Sequence, residues 1–208
     1  MILLQTSGDA GFIDKLIHLD QQIFLVLNGE WRTGFLDAYL PYVREAIIWT
    51  PLYLFLFALV WMNFGLRGLL WIVFALLTAA LTDIVSSGLL KQNIMRLRPC
   101  RDPQFSQHVY MIVKYCPQSS SFTSSHAANH FGAAMFSYIT LRHTVSKWMW
   151  LLFVWAGLIC YAQVYVGVHY PLDLLAGALV GSIIGWFSAG FFNRRIGLRT
   201  FGQLSTES

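Results

Sequence analysis

Four stretches of this sequence contain no Asp, Glu, Lys or Arg: residues 46–66, 115–141, 148–172 and 174–193. Each is long enough to cross the hydrocarbon core of a bilayer, which takes roughly 20 residues. A fifth, 68–90, is equally apolar and is interrupted by Asp83 alone. Backbone groups facing lipid find no water to satisfy them, so such stretches must be helical. The apolar character is not confined to one anchor: 56% of the 208 residues are hydrophobic and 12% charged, against about 25% charged in a soluble domain. The expectation is an all-α, polytopic membrane bundle of about five transmembrane helices forming a single domain over residues 1–208.

Five crossings gather Arg67, Arg142, Lys147, Arg194, Arg195 and Arg199 on one face, which the positive-inside rule makes cytoplasmic. Trp61, Trp71, Trp148 and Trp150 flank the same boundary and are expected to be interfacial anchors. The net charge of +4 lies between the apolar runs, so it sets topology and builds a site rather than marking a nucleic-acid partner. Met1 to Gln5 has no basic segment ahead of it, and no cleavable signal peptide is expected. Residues 1–43 read as an interfacial layer. In it Phe12, Leu16, Ile17, Phe24 and Leu27 recur at three- and four-residue spacing, with Asp14, Asp20 and Gln21 between them. That pattern fits an amphipathic helix lying in the non-cytoplasmic interface, or one packed over the bundle mouth. Phe35 to Tyr42 continues the layer. The bundle then takes residues 44–193, with an outer loop at 91–122, and residues 194–208 form a cytoplasmic tail.

The polar residues collect at the outer end in three groups. Lys91, Arg96, Arg98 and Arg101 break the positive-inside trend. They serve either as surface anchors or as a phosphate cradle, lysine giving a point charge and arginine a two-pronged donor. Thr123-Ser124-Ser125-His126 opens the third span, where free backbone N–H groups and the helix dipole favour an anion. Ser124 there fits an N-cap, and His126 can hand a proton to a departing alkoxide. The third group runs from Gln163 through His169 to Asp173 at the turn between the last two spans. With Pro171 in the first turn of the final helix, Asp173 can hold one imidazole nitrogen and leave the other to attack phosphorus. Two histidines, a carboxylate and basic donors on one membrane face point to phosphoryl chemistry. A metal centre is the competing use of His126, His130, His169 and Asp173, but no compact ligand motif such as His-Glu-x-x-His is present.

From Lys91 to Asp173 the chain resembles the type 2 phosphatidic acid phosphatases. Their first signature, a lysine followed by Arg-Pro, is matched by Lys91, Arg98 and Pro99. The second, Pro-Ser-Gly-His, appears as Thr123-Ser124-Ser125-His126, and the third keeps His169 and Asp173 but has Ala162-Gln163 for Ser-Arg. The resemblance implies a metal-independent, cofactor-free membrane phosphatase. His169 would form a phosphohistidine, Asp173 would orient it and His126 would be the general acid. Lys91, Arg98, Ser124 and Ser125 would bind phosphoryl oxygens, with Gln163 as a neutral donor in place of an arginine. Arg96 or Arg101 would compensate, or phosphate would bind more weakly. The implied substrates are lipid phosphates or pyrophosphates of the outer leaflet: undecaprenyl pyrophosphate, phosphatidylglycerophosphate, phosphatidic acid or lipid A phosphates. A phosphotransferase is the nearest alternative and an anion transporter the non-enzymatic one.

Three further features carry expectations. Gly177, Gly181, Gly185 and Ala189 recur every four residues and allow close helix approach, within the chain or between copies. Cys100 and Cys116 share the outer loop as a disulfide or as two thiols, while Cys160 reads as a small core residue. Asp83 is expected to hydrogen-bond a neighbouring helix.

Overall fold

A computed structural model describes residues 11–198. The expectations for Met1–Gln5 and Arg199 lie outside the described residues. Every regular element among them is helical: α1 (Phe12–Leu25), α2 (Gly34–Val43), α3 (Thr50–Asp83), α4 (Lys91–Asn93), α5 (Ser125–Leu141), α6 (Leu151–Tyr165) and α7 (Pro171–Arg195). Three helical segments are long and apolar enough to cross a membrane: Ala46–Asn93, Lys147–Tyr165 and Pro171–Arg195. The chain is thus an integral membrane protein of helical architecture.

The first of these segments is folded back on itself. Gly65 has φ 52° and ψ −127°, a conformation that glycine adopts at little cost. A straight α-helix would separate residues 57 and 71 by about 21 Å. Instead the Phe57 and Trp71 ring centroids lie 6.4 Å apart. The α3 segment is therefore a helical hairpin, and its two arms match the expected spans at 46–66 and 68–90. Residues 115–141 differ from expectation: 115–124 is loop, and the helix starts only at Ser125. Ser119 and Ser120 through their hydroxyls and Ser121 through its backbone N–H bond to the neighbouring loop, and so do not extend the helix.

One core cluster joins Val60, Phe64 and Trp71 to Phe136 and Leu141 of α5 and Ala189 and Phe192 of α7. The α3 turn, the end of α5 and the end of α7 therefore share one end of the bundle, and Arg67, Arg142, Lys147, Arg194 and Arg195 gather there. Trp61, Trp148 and Trp150 are exposed at this end. Trp71 departs from its expected anchor role: it is buried and its indole N–H donates to Thr140 Oγ1 at 2.7 Å. At the other end Phe24, Phe105, Ala127, Val164, Tyr170 and Leu174 form a second cluster. Through it α1 packs over the bundle mouth, while Phe12, Ile13, Leu19 and Ile23 face outward. Buried Asn28 ties this layer to the bundle, donating to Tyr165 O at 2.7 Å and accepting from Tyr110 N at 2.9 Å.

The helices that carry the site are joined along the glycine stripe. The α carbons of Gly177, Gly181 and Gly185 lie against the backbone oxygens of Ser124, Ala128 and Gly132 of α5, so a side chain at any of them would collide with backbone. The stripe is an intramolecular seam. Gly181→Leu is expected to destabilise the fold by about 1–3 kcal/mol or more through overpacking, whereas Leu179→Ala, on the exposed side, should change little. Thermal unfolding of both variants in detergent checks this, and equal stabilities would contradict the seam.

Candidate active site

Between α4 and α5 the chain forms two strips of loop laced together by hydrogen bonds. Ser120 Oγ donates to Ile94 O at 2.7 Å and accepts from Arg96 N at 3.1 Å, and Ser121 N donates to Arg96 O at 2.8 Å. A disulfide joins Cys100 to Cys116, with Cα atoms 6.2 Å apart, which resolves the open choice for this pair. Arg98 is buried inside the lacing. It donates from Nε to Ser119 O, from Nη2 to Ser119 Oγ and from Nη1 to Val168 O, each at 3.0 Å.

His169 sits where α6 gives way to α7. Gly167, at φ 89° and packed against Val109 and Met111, turns the chain so that the histidine enters the protein. His169 is 2% exposed, and its Nε2 lies 2.9 Å from Arg98 Nη1. A guanidinium has no acceptor, so Nε2 must present its lone pair, and the proton of the neutral ring resides on Nδ1. Burial, reinforced by the charges of Arg98 and Lys91 and opposed by Asp173, pushes the His169 pKa down to about 4. At neutral pH the ring is an uncharged base with its free electron pair on Nε2.

The expected direct bond from Asp173 to His169 is replaced by a longer connection. Asp173 Oδ2 lies 3.6 Å from His169 Nδ1, beyond hydrogen-bond reach. Ser121 stands between them: its Oγ donates to Asp173 Oδ2 at 2.5 Å and lies 3.4 Å from His169 Nδ1. Asp173 Oδ2 also accepts from Tyr170 N at 2.9 Å, while Oδ1 takes Arg96 Nη1 at 2.7 Å. These donors draw the carboxylate away from the ring. Sequence reasoning missed Ser121, since a serine within a run of three carries no distinguishing spacing.

Ser124 is the N-cap of α5, its Oγ accepting from Ala127 N at 3.4 Å, and its own N–H donates to Asp173 O at 3.0 Å. The first turns of α5 and α7 thus meet, with their positive dipole ends beside His169. Lys91 Nζ donates to Ser125 Oγ at 3.0 Å, and Ser125 Oγ lies 2.6 Å from Ser87 Oγ. His126 lies within electrostatic reach of both His169 and Lys91. It also lines an apolar cleft of about 450 Å³ with Tyr53, Phe57, Trp71 and Trp155. Gln163 is fully buried, and its Nε2 has no hydrogen-bond partner.

The suggested compensating cations are placed differently. Arg96 is held by Asp20 and Asp173, and Arg101 is exposed with Nη1 on Gln118 O at 3.1 Å. Asp83 accepts from Ser87 Oγ at 3.0 Å, one turn along its own helix rather than across to another. Among the described residues no three His, Cys, Asp or Glu side chains are grouped as a metal site requires. Asp20 also belongs to the site's surroundings; its signal was an acid on the same helical stripe as Phe24, four residues on.

Comparison with known proteins places this arrangement among relatives. Residues 68–196 match the PAP2 superfamily. The chain is 32% identical over 177 residues to the lipid A 4'-phosphatase of Bacteroides thetaiotaomicron, covering 84% of this chain and 77% of that protein. It also resembles the crystal structure of Aquifex aeolicus LpxE at a TM-score of 0.64 and 26% identity, covering 83% of this chain and 95% of that one. The PAP2 type phosphatidylglycerolphosphate phosphatase of Bacillus subtilis shares the fold at a TM-score of 0.66 and 22% identity, covering 87% and 88%.

The neutral state of His169 has a consequence for stability. Unfolding returns the ring to its ordinary value of 6.5, so the unfolded chain binds a proton that the folded protein refuses until about pH 4. This contribution is present above about pH 6.5 and is lost as pH falls toward 4, a difference of about 3 kcal/mol. The melting temperature should fall across that window in the wild type and fall less in His169→Gln. Equal falls would mean that other groups carry the acid sensitivity.

Proposed function

The chain belongs to the PAP2 superfamily, and from that premise we propose that this membrane lipid phosphatase acts through a covalent phosphohistidine on Nε2 of His169. The observation that carries the reading is the guanidinium donor 2.9 Å from Nε2, which leaves the lone pair on the attacking nitrogen. A lipid phosphate enters from the side, its acyl or isoprenoid chain in the apolar cleft beneath His126 and its head at the loop face. Arg98 moves one N–H from Nε2 to a phosphoryl oxygen, because 2.9 Å leaves no room for phosphorus between them.

Nε2 then forms a bond to phosphorus as the ester P–O bond breaks, and His126, which takes up a proton once the phosphate anion sits beside it, gives that proton to the departing lipid alkoxide. The ring of His169 becomes cationic, and its Nδ1–H is held through Ser121 to the Asp173 carboxylate. Lys91, Arg98, Ser125 and the first turn of α5 hold the equatorial oxygens, and Gln163 offers its unpartnered amide. Water next attacks phosphorus, His126 takes its proton, and the P–N bond breaks to release inorganic phosphate. No step requires a metal ion. The basic end of the bundle is the cytoplasmic one, so the site lies on the extracytoplasmic face of the cell membrane. Of the described residues, 11–43 lie in that outer interface, 44–193 form the membrane bundle around the outer loop at 91–122, and 194–198 lie at the cytoplasmic end.

A lipid A phosphate is the first substrate to test, given the Bacteroides relative, followed by undecaprenyl pyrophosphate, phosphatidylglycerophosphate and phosphatidic acid. Purified protein should release phosphate from at least one, with chelator making no difference. His169→Ala should lower the rate by on the order of 10⁴-fold or more, and a variant of undiminished activity would sink the mechanism. Gln163→Arg should lower KM modestly, since a charge-assisted bond is about twice as strong as a neutral one.

A further inference from the structure

Beside the reacting groups, the described residues hold a buried cluster of charge whose cost calls for a purpose. Asp20 of α1 and Asp173 of α7 are both fully buried, and the guanidinium of Arg96 lies between them. Nη2 meets Asp20 Oδ2 at 2.5 Å, Nη1 meets Asp173 Oδ1 at 2.7 Å, and the guanidinium carbon sits 4.2 Å from the Tyr170 ring centroid. The other oxygen of Asp20 accepts from Leu172 N at 2.8 Å. That N–H is one of those a helix leaves unpaired in its first turn. A single carboxylate on α1 therefore fixes both the arginine and the start of the helix that carries Asp173.

We propose that Arg96 and Asp20 are positioning residues for the reaction, with α1 pressing the Arg96 guanidinium onto Asp173 so that the remaining carboxylate oxygen faces Ser121 and His169. The proposal rests on the reading of His169 as the nucleophile. Three observations support it. Two buried carboxylates with one cation is an arrangement that desolvation disfavours and that apolar side chains of similar volume replace without loss in many proteins, so stability alone does not explain it. Burial raises the Asp20 pKa even with Arg96 and the Leu172 N–H opposing it. The geometry divides Asp173 into two halves: Oδ1 goes to Arg96, and Oδ2 is left to Ser121 and the Tyr170 N–H on the histidine side. The two ends of the guanidinium fork do this together, and a lysine ammonium, as one point charge, has no such bridge.

The charged and titratable groups around Asp173 are Arg96 and Arg98 from the loop, Lys91 from α4, His169 and Tyr170 from the turn, and Asp20 from α1. Removing Arg96 leaves Asp173 facing Asp20 without the cation between them. The carboxylate is then harder to keep ionised and free to rotate away from Ser121. Catalysis should fall chiefly in kcat, because Arg96 contacts no part of the phosphate in this arrangement.

The test uses the full chain in detergent with a lipid phosphate that the wild type hydrolyses, comparing wild type, Arg96→Gln, Arg96→Lys, Asp20→Asn and His169→Ala. For Arg96→Gln kcat should fall on the order of 100-fold, less than the roughly 10⁴-fold seen when an orienting aspartate itself is neutralised, with KM little changed. Its acid limb of activity should move up by about one pH unit. Arg96→Lys should recover part of kcat and most of the acid limb, and Asp20→Asn should lie between wild type and Arg96→Gln. If the variants unfold at lower temperature but keep wild-type kcat per folded molecule and an unshifted acid limb, α1 is a strap only and the proposal fails. Should Arg96→Gln not fold, the kcat and acid limb of Asp20→Asn decide the same question. A wild type that releases no phosphate, or a fully active His169→Ala, would instead remove the nucleophile reading beneath it.

Discussion

The contact between the backbones of α5 and α7 is the constraint on which the site depends. In lipid there is no hydrophobic drive between helices, so association relies on close packing, and glycine permits the closest. Gly177, Gly181 and Gly185 bring α7 onto the carbonyls of Ser124, Ala128 and Gly132. The register that results sets the first turn of α7 beside the first turn of α5, where Ser124 N meets Asp173 O at 3.0 Å. His126 follows Ser124 by two residues and His169 precedes Asp173 by four, so one seam determines where the proposed acid and the proposed nucleophile stand relative to each other. It also aims two helix N-termini at one spot, a field suited to a phosphate.

A second layer makes the site rigid. The two loop strips, the disulfide and the buried Asn28 hold the outer residues without help from regular secondary structure. Arg98 is the pivot of that layer, with its donors shared among the loop carbonyls, Ser119 and His169. Its own pKa is pushed down to about 10, chiefly by burial. That is still far above neutrality, so it remains a cation in a dry place, where its attraction for phosphate is stronger than in water.

The hydrophobic runs told of helices because lipid-facing segments must be uniformly apolar, and each of the five runs contains a helix. The stretch that departs, 115–124, is apolar enough by charge count, but the hydroxyls of Ser119 and Ser120 bond to the other loop strip and that of Ser121 to Asp173, a distinction composition does not make. Trp71 likewise reads as an interfacial ring until its Thr140 partner is seen. At the candidate site the sequence singled out His169, Asp173, Arg98 and His126, and the fold brings Arg98 and Asp173 to within 2.9 and 3.6 Å of the His169 ring. Ser121 and Asp20 were not singled out, since their roles arise from contacts between segments 52 and 152 residues apart in the chain. The cations shifted meaning as well: Arg96, weighed as a substitute phosphate ligand, is held by two carboxylates.

The resting contact between Arg98 and Nε2 links these features into one argument about charge. A buried histidine able to attack phosphorus must be neutral, and burial keeps it so. Neutrality alone leaves two tautomers, of which only the one bearing the proton on Nδ1 is a nucleophile at Nε2. Arg98 selects it by donating to Nε2, and Ser121 with Asp173 favours it from the other side of the ring. When a phosphate arrives, the guanidinium exchanges a neutral acceptor for an anionic one, which strengthens its bond. The same movement uncovers the lone pair. In the proposed mechanism the group that selects the tautomer of His169 therefore becomes a ligand of the substrate, and the exchange is favourable only when a phosphate is present to receive it.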